Sequence, residues 1–494
     1  MASNTTYGDY IRAIPQGVAG IGWPLSIAGF AVLIVGFIAM NALWWVGLIV
    51  LGVGLGTIAI LSVRDRQHRN IADRLVERQQ YAQGVRKGRG LYRSGMLGLM
   101  EHGGTPLPGI LSKVELMEAL DGAGRPFALL HHTHTGEYTL PIACYPQGAS
   151  LVDDDDEDQY VAGWAAFLES MARTAGVMQV SVCVDTSPDS GSRTQRILSK
   201  HVTAGPEDLA GRAMSEVMLM LSRGGARNDV IVSIDFKYQD MKGRPLPDDE
   251  AARTIANLIP GIISSLGQSG GGMARTLDAD EMATMARTAY DPRTLEEFEQ
   301  QEGENPVHWE DCGPTACEAS WDFLRHDSGL SRTWEMCDPP RSLVTADTMA
   351  NLLQPLDAVD RKRVTLVFRL LDSAKSRVLS EDNRKRSTAA EGQQKHVTVS
   401  TVDTQHRADR QAMDVNAGAN LIWFGMLVTA TVMTGRDEEN RLEKASRAVE
   451  GAAGAASVDL RVCYGAQDTG FAAGLPFGID LAAYRPPSLM GSLG

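Results

Sequence analysis

One stretch constrains this chain more than any other: from Ala13 to Val63 the sequence contains no Asp, Glu, Lys or Arg. Charged residues make up 22% of the whole chain, so a gap of this length is not expected from composition alone. One helix across a bilayer core of about 30 Å needs about 20 apolar residues, because each residue adds about 1.5 Å. The stretch is therefore too long for one span and long enough for two.

The break between the two predicted spans falls at Asn41-Ala42. Trp23 to Met40 forms the first span and Leu43 to Val63 the second, which predicts a transmembrane helical hairpin over residues 21–63. Each Leu, Ile, Val or Phe contributes about −0.3 to −0.6 kcal/mol to membrane insertion, and no charged residue opposes them. Residues 1–20 are predicted to form a short cytoplasmic lead.

Tryptophan and glycine residues give the predicted hairpin two further properties. Tryptophan rings favour the membrane–water interface, and glycine allows close contact between helices in lipid. The predicted interface anchors are Trp23, Trp44 and Trp45. The predicted sites of membrane helix packing are Gly52, Gly54 and Gly56. The glycine-rich composition that is common in membrane helices explains the same pattern equally well.

A basic segment follows the predicted hairpin. Residues 64–93 hold nine Lys and Arg residues against three acidic ones, a net charge of +6. Positive charge is enriched on the cytoplasmic side of membrane spans, which predicts a multi-pass protein of the inner membrane with both termini in the cytoplasm. Residues 64–95 are predicted to form a basic juxtamembrane helix and a neck, whose charges face solvent, lipid headgroups or both. The predicted lipid-facing residues are Arg64, Arg66, Arg69, Arg74 and Arg78.

The rest of the chain is acidic. All 494 residues together carry −14 and residues 1–63 are neutral, so residues 94–494 carry −20. This balance argues against direct contact with nucleic acid, whose phosphates attract positive charge. The six cysteines form no C-x-x-C pair, and His308, Cys312 and Cys317 lack a second half with zinc-like spacing. The chain is therefore predicted to bind no metal and no cofactor.

The cytoplasmic body is predicted to be α+β, with two lobes and mostly antiparallel sheets. The first lobe covers residues 96–300, and alternating apolar residues predict its strands. These strands span 126–144 as a hairpin, 177–185 and 229–238. Helical spacing of apolar residues predicts the helices of this lobe. They span 154–175, 206–222 and 248–266.

The second lobe covers residues 301–485, and residues 486–494 are predicted to form a tail. Its predicted strands span 363–371, 420–433 and 458–463. A polar helical insert is predicted at 373–417, interrupted by a strand-like stretch at 396–401, and a further helix is predicted at 435–455. The apolar run at 420–433 is too short to cross a bilayer, so it is interpreted as a buried strand.

Motifs for nucleotide binding and nucleophilic catalysis do not fit the chain. It contains no G-x-x-x-x-G-K-[ST] phosphate loop. Gly267, Ser269 and Gly271 match G-x-S-x-G, but a helix precedes them where a nucleophile elbow needs a strand. His132 and His134 are interpreted as part of a polar outer strand face, and the acidic run 153–158 as charges at a helix N-terminus. The chain is therefore predicted not to be an enzyme.

Three stretches carry a resemblance to a known family. They are the predicted hairpin, the pair 164–168 (WAAFL) and 180–186 (VSVCVDT), and the closing segment, residues 463–478 (CYGAQDTGFAAGLPFG). In these stretches the chain resembles actinobacterial integral membrane proteins associated with conjugation and type IV secretion. The hairpin is similar to the small two-helix inner-membrane subunit of such systems. The body is similar to the N-terminal, non-ATPase half of the secretion ATPase.

This resemblance implies a non-catalytic inner-membrane scaffold subunit of a type IV secretion or conjugation apparatus. Its implied partners are a separate cytoplasmic ATPase, other membrane subunits and the lipid bilayer, within an oligomeric complex. Two alternatives stay open at this point. One is a type VII secretion membrane subunit with two N-terminal helices. The other is a membrane-tethered enzyme, which would need a compact polar pocket with perturbed acids or histidines.

Overall fold

Two adjacent apolar helices lead into an α+β body in the computed structural model of this chain. The described residues are 23–63, 69, 71–95, 98, 104–146, 154–188, 209, 211–213, 216, 226–301, 306–340, 344–393, 399–416 and 418–484. The apolar helices are α1 (Trp23–Ala42) and α2 (Trp44–Leu61), and neither contains a charged residue. Leu43 alone connects them, in an extended conformation with φ −146° and ψ 106°.

Helices α1 and α2 pack against each other in opposite directions. A Cβ atom placed on Gly36 would lie 2.5 Å from the Leu51 side chain, and one on Gly47 would lie 2.6 Å from the Met40 backbone. Residues late in α1 therefore touch residues early in α2. Glycine at these two positions lets the two helices come close together, because a larger side chain there would clash with the other helix.

The body contains strands and helices in mixed order. Its strands are β1 (Leu91–Arg93), β2 (Val114–Leu120), β3 (Pro126–His132), β4 (Glu137–Tyr145), β5 (Val177–Pro188), β6 (Ala226–Phe236), β7 (Met273–Thr276), β8 (Ala316–Ala319), β9 (Leu324–His326), β10 (Gly329–Asp338), β11 (Arg361–Leu370), β12 (Ile422–Met433) and β13 (Asp459–Val462). Helix α3 (Ile71–Arg86) precedes the body. The α-helices of the body are α4 (Asp154–Arg173), α5 (Asp248–Leu266), α6 (Ala279–Tyr290), α7 (Thr294–Gln301), α8 (Ala350–Leu353), α9 (Ser373–Gln393), α10 (Val399–Asn416), α11 (Glu438–Ala455) and α12 (Gln467–Ala473).

All these strands belong to one antiparallel sheet. Its order is β1-β8-β9-β10-β12-β11-β5-β6-β4-β3-β2, with β13 beside β10 and β7 beside β4. The strands of the two predicted lobes meet where β5 pairs with β11, from Gln179 opposite Arg369 to Thr186 opposite Lys362. The expected α+β class with antiparallel strands is therefore confirmed, but the two sequence halves share a single sheet rather than two.

The two faces of this sheet differ in chemistry. One face is apolar, and α4, α5 and α11 cover it with two clusters of buried side chains that include Phe167, Ile255 and Val449. The opposite face, here called the polar face, carries hydroxyl, carboxylate and guanidinium groups along its central strands. In one row across five strands, register places these residues side by side: Thr333, Thr429, Arg363, Asp185 and Asp229.

Several local predictions can be compared directly with the structure. The strand hairpin predicted at 126–144 is β3 and β4, and the predicted strand 420–433 is β12. The strand-like stretch predicted at 396–401 is wrong at its end, because α10 already begins at Val399; residues 394–398 lie outside the described part. Most of the helix predicted at 206–222 also lies outside it.

Candidate functional site

The predicted packing glycines of α2 occupy different environments. A Cβ atom on Gly54 would lie 2.4 Å from the Val32 side chain, so Gly54 does pack against α1. Atoms placed on Gly52 and Gly56 would meet nothing within 4 Å, because both glycines face away from α1. The contact between α1 and α2 therefore uses Gly36 and Gly47, which were not predicted as packing sites, in addition to Gly54.

Large apolar side chains remain exposed along both helices. The exposed fraction is 69% for Phe37, 68% for Trp44 and 52% for Trp45. The side chain of the third predicted anchor, Trp23, lies outside the described part of the chain. Among the described helices, α2 is long and apolar enough to cross a membrane, whereas the apolar part of α1, Ser26–Ala42, falls below that length.

The predicted lipid-facing arginines divide into three groups. Arg64 and Arg66 lie outside the described residues, and Arg74 and Arg78 are exposed on α3. Arg69 instead turns toward the body, where it pairs with Glu77 of α3 and lies 3.6 Å from Glu335 of β10. One carboxylate of α3, Glu77, and one of the body, Glu335, thus hold the Arg69 guanidinium at this position, and its contact with lipid stays a prediction.

Helix α3 meets the body at a contact that we call the neck joint. It consists of Arg69, Glu77, Tyr81, Trp321, Glu335, Arg461, Tyr464 and Gly465. The Trp321 ring lies between two tyrosines, with its centroid 5.1 Å from Tyr81 and 5.6 Å from Tyr464. Arg461 donates to the same Glu335 carboxylate as Arg69, at 2.6 Å. Aromatic and ionic contacts thus join α3 to β10, β13 and the closing segment.

The closing segment, residues 463–478, lies across the polar face and is buried along most of its length. Side chains of the sheet donate to its backbone carbonyls: Thr365 Oγ1 to Gly474 O at 2.7 Å and Ser233 Oγ to Pro476 O at 2.8 Å. The Gln467 side chain exchanges two hydrogen bonds with the Thr333 backbone. The segment therefore provides hydrogen-bond partners, in place of water, for buried polar groups of the sheet.

Gly478 marks the closest approach of this segment to the sheet. Its φ is +66°, and a Cβ atom there would lie 1.9 Å from Asp235 Oδ1. Asp235 is fully buried, and it accepts hydrogen bonds from Thr139 Oγ1 at 2.7 Å and Gln179 Nε2 at 2.9 Å. Burial raises the pKa of the Asp235 carboxyl well above its ordinary value, and the neighbouring carboxylates of Glu137 and Asp480 raise that pKa further.

His132 belongs to the same buried group as Asp235, and its position contradicts one of the predictions. Its Nε2 lies 2.8 Å from Thr139 Oγ1, and the residue is 1% exposed. The interpretation of His132 as part of a polar outer face is therefore wrong. Burial lowers the pKa of His132 to about 4. His134 lies beyond the end of β3, and its ring stacks on Tyr484.

A second buried group lies near the centre of the polar face. Arg361 donates from Nε and Nη2 to the two carboxylate oxygens of Asp185, at 2.9 and 2.8 Å, and Arg363 Nε adds a third contact at 3.2 Å. Burial alone would raise the pKa of Asp185, but the two guanidinium groups outweigh it and lower the pKa to about 2. The Arg363 guanidinium also lies 5.5 Å from the centroid of Phe471 in the closing segment.

A cavity of about 500 Å³ opens beside this buried ion pair, between the sheet and helices α6 and α7. Its wall contains three arginines, each paired with a carboxylate: Arg361 with Asp185, Arg275 with Glu281, and Arg227 with Asp229 and Glu299. Burial raises the pKa of the Asp229 carboxyl. The cavity has the size of small-molecule sites, and each of its three arginines already has a carboxylate partner within the protein.

His308, Cys312 and Cys317, which were considered as half of a metal site, form no such cluster among the described residues. Among the described residues, no three His, Cys, Asp or Glu side chains lie close enough to hold a metal ion. Cys312 is buried with its Sγ 2.9 Å from Trp309 O. Burial raises the pKa of the Cys312 and Cys317 thiols to about 12, so these cysteines are protonated at neutral pH.

The buried charges of the polar face were not among the predicted site residues. Asp185, Asp235, Arg361 and Arg363 lie within or at the edges of stretches that were read simply as strands. Their signal is present, however, because a charged residue at an inward-facing position of a central strand must find a buried partner. Strand register, which the sequence did not provide, decides which partner that is.

Comparison with known proteins adds one finding. A family model described as a domain of unknown function (DUF8461) matches residues 16–73, which span the apolar helices and the first residues of α3. No curated protein matches the sequence. The matched region is thus a recurring unit in proteins, and the match assigns it no activity.

Proposed function

We propose that this chain is a membrane-anchored scaffold, with α1 and α2 in the bilayer and the α+β body beneath it. The exposed apolar surface of these helices carries the proposal. Fully burying one such side chain contributes roughly 1.5–3 kcal/mol, and a bilayer surrounds all of them at once. Helix α2 is about 27 Å long at 1.5 Å per residue, close to the thickness of the hydrocarbon core.

We place α1 in the membrane together with α2. Its 20 residues contain no charge, and it packs along α2 in the opposite direction through Gly36 and Gly47. The exposed arginines of α3, which include Arg78 and Arg86, then lie on the cytoplasmic side. The protein is on this basis a multi-pass protein of the inner membrane with both termini in the cytoplasm.

The partner that we propose is a separate cytoplasmic ATPase of a type IV secretion or conjugation apparatus. The sequence resemblance of the hairpin and the closing segment to such systems supports this assignment. The neck joint supports it as well, since it holds the acidic body against α3 through both aromatic rings and ion pairs. A body fixed in this way offers a docking platform at a defined position below the membrane.

Membrane anchoring is tested by extracting bacterial membranes that contain the full chain with alkaline carbonate. We expect the protein to stay in the membrane pellet. Replacing Leu33 and Val53 together by Lys adds about 3 kcal/mol of insertion cost per charge, which should release the protein or abolish its accumulation. The matched control, Leu33→Ile with Val53→Leu, should behave as the wild type. Extraction of the wild-type chain by carbonate would refute the anchor.

Docking is tested by co-expressing the full chain with the ATPase that its gene neighbourhood encodes. We expect a complex in detergent that survives size-exclusion chromatography and gives cross-links to the body. If the neighbouring genes instead encode a DNA-translocase-like ATPase and a mycosin protease, the assignment moves to type VII secretion. If no neighbouring ATPase binds, the docking role fails while the membrane anchor still stands.

One observation favours a second candidate, a membrane-tethered enzyme. The cavity between the sheet and α6 is the kind of polar pocket that an enzyme requires, and Asp229 in its wall has a raised pKa. Against this, Arg227 pairs with both Asp229 and Glu299. Screening the full chain and Asp229→Asn against hydrolase substrates tests it, since an enzyme would lose turnover without losing its fold.

A further inference from the structure

The neck joint connects α3 to the start of the closing segment, and we propose that it couples the two mechanically. When α3 detaches from the body, the closing segment loosens over the polar face. When α3 is docked, the closing segment is held down.

The first step is the aromatic contact. Tyr81 is the α3 residue that touches Trp321, edge to face, and Trp321 stacks on Tyr464 at an interplanar angle of 21°. Gly465, the next residue along the chain, donates its N–H to Trp321 O at 2.7 Å. A Cβ atom on Gly465 would lie 2.9 Å from the Trp321 ring and 3.4 Å from Tyr81 Cβ. One indole ring is therefore shared by α3 and by the first residues of the closing segment.

The second step is the ionic contact. Arg69, which precedes α3, and Arg461 of β13 both bind the Glu335 carboxylate. Arg461 lies two residues before the closing segment begins. Removing α3 from the body would thus remove one of the two cations that neutralise Glu335, close to the start of that segment.

The third step is the space around these contacts. A cavity of about 360 Å³ lies between α3 and the body, with Glu77, Tyr81 and Thr469 in its wall. Because this space separates α3 from part of the body, the contact between them depends on a small number of side chains. A helix attached in this manner can detach without disrupting a packed interior.

The fourth step is the path from the joint to the polar face. From Gly465 the chain passes directly into α12, where Gln467 is fully buried and bonds to Thr333. Phe471 then covers Arg363, and Gly478 reaches Asp235. A displacement at Gly465 therefore acts on a segment that covers buried charges of the polar face, and the coupling holds whether or not α1 and α2 lie in a membrane.

Hydrogen–deuterium exchange on the full chain in detergent micelles tests the coupling. Tyr81→Ala keeps a good helix former in α3 and removes the ring that touches Trp321. We expect the amides of residues 467–474 to exchange about two- to tenfold faster in this variant, which corresponds to the loss of one aromatic pair. Gln79→Ala, an exposed change on the same helix, is the matched control and should leave exchange in this region unchanged.

Two further variants keep the proposal falsifiable. Tyr81→Phe retains the ring and should preserve the slow exchange of 467–474, whereas Arg69→Gln should accelerate it. If Tyr81→Ala accelerates exchange in α3 while residues 467–474 keep the wild-type rate, the coupling does not exist. Carbonate extraction of the same variants is expected to be unchanged, so failure of the coupling is distinguishable from failure of the membrane anchor.

Discussion

Replacing Gly478 by Ala tests whether the closing segment needs its close approach to the sheet. Gly478 has φ +66°, where an L-residue costs about 1–2 kcal/mol. Its new Cβ would also lie 1.9 Å from Asp235 Oδ1 and 2.2 Å from Thr139 Oγ1, so the segment must shift away. Overpacking of this kind costs about 1–3 kcal/mol. We therefore expect a total loss of about 2–5 kcal/mol in the free energy of unfolding.

The measurement is denaturant unfolding of the full chain in detergent, followed by tryptophan fluorescence. Gly243→Ala is the matched control, because Gly243 has φ +75° and a Cβ atom there would meet nothing within 4 Å. The control isolates the backbone term, so it should lose only about 1–2 kcal/mol. If both variants lose the same free energy, the close approach of Gly478 to Asp235 does not contribute to stability, contrary to the expectation.

Three further outcomes follow from the polar face. Asp185→Asn leaves Arg361 and Arg363 buried without a counter-charge, so the free energy of unfolding should fall by about 3–5 kcal/mol; a loss below 1 kcal/mol in denaturant titration would contradict this. His132 has a folded pKa of about 4, below its ordinary 6.5, so its contribution of about 3 kcal/mol is present above pH 6.5 and is lost as pH falls from 6.5 through 4. His132→Gln should flatten that pH dependence of the denaturation midpoint, and an unchanged slope would count against it. Phe477→Ala should cost about 3–5 kcal/mol by cavity formation, whereas Leu481→Ala at a partly exposed position should cost little in the same titration.

Hydrophobic periodicity was enough to predict many of the elements but not how they assemble. The strands β4, β6 and β12 and the helices α4 and α5 all follow from apolar spacing, because each buries one face against the sheet. Strand β10 was not predicted. Its central residues Ser331, Arg332 and Thr333 are polar yet buried, with Arg332 held by Asp322 and Glu443. These polar residues can be buried because other segments of the chain provide their partners. The local sequence of β10 therefore lacks the apolar alternation that predicts a strand.

The candidate site could not be predicted from the sequence for a similar reason. The closing segment was identified as a motif, but the need for glycine at position 478 becomes clear only from its close contact with Asp235. The same holds for α2, where Gly52, Gly54 and Gly56 were predicted to pack, while the contact with α1 is made by Gly54 and by Gly47, which was not predicted. Which side of a helix faces its neighbour depends on the position of that neighbour, and composition does not contain this information.

The pairing of β5 with β11 has a consequence for how this protein is made. The paired residues are more than 170 positions apart in the sequence, so the two halves of the sheet are joined by one of its most non-local contacts. While the first half of the chain is alone, β5 presents an open strand edge, the kind of surface that templates aggregation. Fragments cut near residue 300 would each retain such an edge. The two halves are therefore expected to need each other during synthesis, because neither half alone covers the edge that it presents at the β5–β11 pairing.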